Sequence, residues 1–114
     1  MKAIIARTDG TREVVEVNQS GLLEYAQSVV DGWIEFVSIR TPDLNVSLIV
    51  NENGFAEGLA LNPLASALYA EIGGNSPIVG DALILGGTNF AGDQLGLSDE
   101  QVDFLMNAVV HSEV

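Results

Sequence analysis

The sequence predicts a single α+β domain over residues 1–114, a largely antiparallel mixed sheet packed by about three helices in the order ββαβββαβα. Three observations predict it. Short runs rich in β-branched residues follow one another through tight turns. Three apolar stripes recur at helical spacing, each with its own start or stop signal. Consecutive strands joined by such turns favour antiparallel pairing over a doubly wound sheet.

The elements follow in order. KAIIA (2–6) and REVVEV (12–17) flank Asp9-Gly10 and read as a hairpin. Leu22, Leu23, Ala26, Val29 and Val30 form one helical stripe, with Gly32 as its stop. WIEFVSI (33–39) is a strand, with Trp33, Glu35 and Val37 on one face and Ile34, Phe36 and Ser38 on the other. VSLIV (46–50) is the next strand. Asn53-Gly54 then predicts a hairpin turn into FAEGLAL (55–61), because both residues tolerate positive φ. Asn62 is a helix cap and Pro63 suits the first helical position. Leu64, Ala65, Leu68, Tyr69 and Ile72 share a face of that helix, and Gly73-Gly74 ends it. IVGDALILGG (78–87) is nearly all apolar, as for a central strand buried on both faces. Ser98 and Gln101 form a capping box for a last helix, whose stripe is Val102, Leu105, Met106 and Val109.

Composition narrows the chemistry. Cysteine is absent, so no disulfide, thiol nucleophile or Cys-ligated metal is available. The only histidine, His111, leaves no second imidazole for a zinc site. No G-x-S-x-G elbow, phosphate loop or calcium-loop pattern occurs, and no metal or cofactor is implied. The net charge is −12, unevenly placed. All four basic residues (Lys2, Arg7, Arg12 and Arg40) lie in the first forty positions, which net −2; residues 41–114 carry ten acids and no base. Such a surface repels nucleic acid and anionic membranes. No apolar run approaches the ~20 residues that cross a bilayer, and the N-terminus has no secretory pattern, so a cytoplasmic protein is expected.

The candidate site residues are Asn51, Glu52, Gly54 and Glu57 around the proposed hairpin, Asn62 at the helix cap, Asp81 in the apolar strand, and Phe90 in the loop GTNFAGDQLG (87–96). Asp81 is the carboxylate whose burial would make it an acid or base; its simpler role is to accept backbone hydrogen bonds after Gly80. Phe90 sits mid-loop, where an exposed ring anchors a partner. The other rings, Trp33, Phe36, Phe55, Tyr69 and Phe104, fall mostly in core-facing patterns.

The segments MKAII, GWIEFVSI, IVNENGFAEGLALNPLASALY, IVGDALILGG and LSDEQVDFL, in this order, resemble the domain-of-unknown-function family 3846 across nearly the whole chain. The most specific parts are the turn at Asn51, Glu52 and Gly54, the run from Gly58 to Ala65, and I-V-G-D at 78–81. The stretch FAEGLAL is less charged than that family's usual hairpin. The family is frequent in bacteriophages, plasmids and actinobacterial genomes. The resemblance therefore implies an accessory protein of a phage or mobile element, with no reaction or catalytic residue to transfer.

The expected function is non-enzymatic: binding of a host protein or small molecule, with an anti-defence role as one setting. The contact surface is placed near the 51–62 hairpin and the 86–97 loop. An acidic DNA mimic that blocks a nucleic-acid-binding host protein is the second reading. A small enzyme using Asp81, Glu52 or Glu57 is the third. A homodimer through an edge strand is open.

Overall fold

The computed structural model describes residues 1–110. The strands are β1 (Lys2–Ala6), β2 (Arg12–Glu16), β3 (Ile34–Arg40), β4 (Asn45–Asn51) and β5 (Ala82–Gly86). The helices are α1 (Leu22–Val30), α2 (Pro63–Glu71) and α3 (Asp99–Asn107). One sheet has the order β2-β1-β5-β4-β3, and every pairing is antiparallel. The expected α+β class is therefore the observed one.

The two-residue period of the strands divides the core into two layers. Ala3, Ile5, Ile49, Leu83 and Leu85 face α1, where Ala26 and Val30 meet them. Ile4, Ala6, Val46, Leu48, Val50, Ala82 and Ile84 face the other side, under Leu64, Ala65 and Leu68 of α2 and Leu105 of α3. β5 is buried along its whole length, as its apolar run predicts.

Local signals set the ends of the elements. The β1–β2 bend closes with Arg7 N donating to Thr11 O (2.9 Å), and Gly10 supplies the left-handed φ of 89°. The Asp9 carboxylate accepts from the Thr11 hydroxyl (2.7 Å) and N–H (2.9 Å), which holds it below the ordinary range. Asn62 caps α2 by accepting from Ala65 N, with Pro63 at the first position. The Ser98–Gln101 capping box starts α3 as expected.

Helix α3 is fastened at both ends. Lys2 of β1 pairs with Asp99 in its first turn, which raises the lysine and lowers the carboxylate from their usual ranges. Arg12 of β2 donates from Nη1 to Leu105 O and Ala108 O, each at 2.7 Å, neutralising carbonyls that the helix end leaves unpaired. Arg12→Ala is expected to destabilise the protein by about 2 kcal/mol, because charge-assisted bonds to orphan carbonyls are lost. Amide exchange in α3 should accelerate before that in β5. Unchanged urea unfolding and unchanged α3 exchange would contradict this role.

Four expectations need correction. Residues 55–61 do not form a strand. The chain coils instead, with Glu57 N donating to Asn53 O (2.9 Å), Gly58 N to Phe55 O (3.1 Å) and Leu59 N to Gly54 O (3.0 Å). Only Leu61 bridges, to Val79. The reason is topological: β3 and β5 occupy both edges of β4, so a hairpin partner has nowhere to pair. Helix α1 is ended by Asp31 in the left-handed region (φ 57°), not by Gly32. Gly32 is needed because a Cβ there would come within 2.8 Å of Asn51 Nδ2. Val109 lies beyond the end of α3 and is exposed. Finally, Trp33, Phe36, Phe55 and Phe104 are all more than half exposed, so the core is built from Ile, Leu, Val and Ala.

Candidate functional site

Six of the seven residues singled out from the sequence lie toward one end of the sheet. This is where β4 finishes, β5 begins and α2 starts. Phe90 lies at the other end, past the close of β5. β4 separates the two by about 20 Å at the rise of a strand. The 51–62 segment and the 86–97 loop therefore do not make one surface, which corrects that expectation.

The six are mainly architectural. Asn51 is buried; its Nδ2 donates to Val30 O (3.1 Å) and to Glu57 Oε2 (2.9 Å), and its Oδ1 accepts from Asn53 N (2.7 Å). It ties the end of α1 to the coil that follows β4. Gly54 is buried against Val79, whose Cγ2 would lie 2.7 Å from an added Cβ. Glu52 is exposed, and its backbone N donates to Trp33 O (2.9 Å). Asn62 is wholly buried; its Nδ2 donates to Ala6 O (2.8 Å) and Gly80 O (2.9 Å) while its Oδ1 caps α2. Asp81 accepts from Thr8 N (3.0 Å), the simpler role its sequence position allows. Phe90 is fully exposed.

Among the described residues no group of three or more His, Cys, Asp or Glu could hold a metal ion. His111 lies outside the described residues.

Sequence reasoning missed an apolar concavity. A cleft of about 470 Å³ lies between α2 and the α3 end of the chain. Its floor is Ile39, Leu44, Leu64 and Leu68, all buried core residues. Phe104, Val109 and Val110 form one wall, Ala67 and Glu71 the other, and Thr41-Pro42-Asp43 the rim. Phe104 and Val109 keep 54% and 78% of their surface exposed, so these apolar walls face water. A second hollow of about 380 Å³ shares Asp43, Leu44 and Phe104 with the cleft and carries it on to Glu100 and Gln101 of α3. The available signal was on α3, where Phe104 falls outside the stripe that meets the core.

The chain matches the family described as domain of unknown function DUF3846 over residues 1–110. It belongs to this family. Searches of curated proteins and of solved structures find no match to it. The DUF3846 match spans both core layers, the cleft and the Asn51–Asn62 coil together. No helix among the described residues is long and apolar enough to cross a membrane.

Proposed function

We propose that this DUF3846 protein is a non-catalytic binding module that takes an apolar group of a host protein or small molecule into the cleft between α2 and α3. The supporting observation is that cleft: its volume is in the range of ligand sites, its floor is apolar, and its polar groups are few and peripheral. The exposed ring of Phe104 on its wall adds to the case, since such side chains are enriched where proteins meet partners. Action by contact also suits a chain whose candidate residues Asn51, Asn62 and Asp81 spend their polar atoms on backbone partners. The setting in a phage or mobile element, within the cytoplasm of a bacterial host, rests on the habit of the family.

Ala67→Trp provides the test. Ala67 is a half-buried residue of the cleft wall, and an indole there would fill the open space without cutting into the core. In a fragment screen read by thermal shift, apolar fragments should stabilise the wild type, and Ala67→Trp should abolish their effect while folding normally. Fragments that stabilise both proteins equally would place binding elsewhere and end this reading.

The acidic DNA mimic is the second reading. In its favour, Asp99 is the only acid of residues 41–110 that forms an ion pair among the described residues. Competition with duplex DNA for a basic protein, weakening steeply with salt, would support it.

A further inference from the structure

We infer that the occupant of the cleft is a basic amphipathic segment of a partner protein, with bulky apolar side chains seated over Leu64 and Leu68 and its Lys or Arg side chains at Glu71, Asp43 and Glu100; this rests on the binding reading above. The argument is charge complementarity combined with shape. The two hollows share Asp43, Leu44 and Phe104 and so join into one groove running from Glu71 on α2 to Glu100 on α3. Exposed carboxylates stand along it: Glu71 on α2, Asp43 on the β3–β4 connection, and Glu100 in the first turn of α3.

Among the described residues no lysine or arginine offsets them. Residues 41–114 contain neither, and the four in the first forty positions are directed elsewhere. Lys2 pairs with Asp99, Arg7 with Glu13, and Arg12 with the end of α3. Arg40 follows Ile39, which faces the α2–α3 layer, so strand alternation turns Arg40 to the opposite face. An anionic or neutral apolar ligand would leave this rim unanswered. An amphipathic basic helix matches both features, its apolar anchors recurring on one face and its charges flanking them.

The probe is a synthetic leucine–lysine amphipathic helix of about 14 residues, long enough to fold on contact. Two control peptides accompany it, one with glutamate in place of lysine and one with serine in place of leucine. Binding is measured by fluorescence anisotropy and mapped by amide shifts of the labelled full chain.

The basic amphipathic peptide should bind with shifts centred on Leu64, Leu68 and Phe104, and neither control should bind. Glu71→Gln and Asp43→Asn, both exposed, should each weaken binding about threefold, the scale of an exposed ion pair, and added salt should weaken it further. Ala67→Trp should abolish it.

If the glutamate peptide binds the cleft equally well, the inference fails while the binding reading stands. The inference also fails if no peptide shifts the cleft, or if the basic peptide spreads over the acidic surface regardless of Ala67→Trp; the binding reading falls with it only if apolar fragments leave the cleft unshifted as well. Contacts from the chain's own His111 to the Leu68 methyl groups in the free protein would also overturn the inference, because the groove would already be filled.

Discussion

Asn62→Ala should lower stability by about 4 kcal/mol, a large part of what holds a domain of this size together. Asn62 is fully buried and joins three elements at once: it caps α2 at Ala65 N and donates to Ala6 O at the end of β1 and to Gly80 O before β5. Loss of a helix cap costs about 1 kcal/mol. Loss of the two buried bonds to the Ala6 and Gly80 carbonyls adds about 1.5 kcal/mol each. Asn62→Asp should also be severe: it keeps the cap acceptor but turns a carboxylate toward the two carbonyls. Urea unfolding by circular dichroism checks both variants. A loss below about 1 kcal/mol for alanine would mean the two donor bonds contribute little.

Gly86→Ala is the second large effect. A Cβ at Gly86 would sit 2.3 Å from the carbonyl oxygen of Gly96 and 3.0 Å from that of Leu95. Both are backbone atoms, so no rotamer change relieves the clash. The 95–97 segment must move, which threatens the bond from Leu97 N to Lys2 O (2.8 Å) and the buried Leu97 side chain. The expected cost is about 3 kcal/mol, at the upper end for overpacking. Gly21→Ala is the control, since nothing lies within 4 Å of its added Cβ and its φ is −112°. As the N-cap of α1 it should cost at most about 1 kcal/mol, and equal effects at the two positions would contradict the packing argument.

Features decided within a few residues were legible in the sequence. The Asp9-Gly10 bend, the Asn62-Pro63 start and the Ser98–Gln101 box all close over two to four residues, and each stands where its side chains place it. β5 was legible because an unbroken apolar run requires cover on both faces. The strand expected at 55–61 failed for a reason outside the segment: β4 is central, and its two edges are taken. The Arg12 bonds to α3 span 93 and 96 residues, and no local pattern announces them. The cleft is assembled from β3, the 41–44 connection, α2 and the end of α3, so it has no motif. Asn51, Asn62 and Asp81 drew attention as polar residues in apolar surroundings, and the fold uses all three to satisfy backbone groups.

The most direct test is methyl-resolved NMR of the intact chain titrated with an apolar fragment mixture. Leu44, Leu64 and Leu68 methyl groups should shift while those of Leu83 and Leu85, in the layer under α1, stay still. Shifts confined to the α1 layer, or to the coil around Phe55, would contradict a binding cleft between α2 and α3.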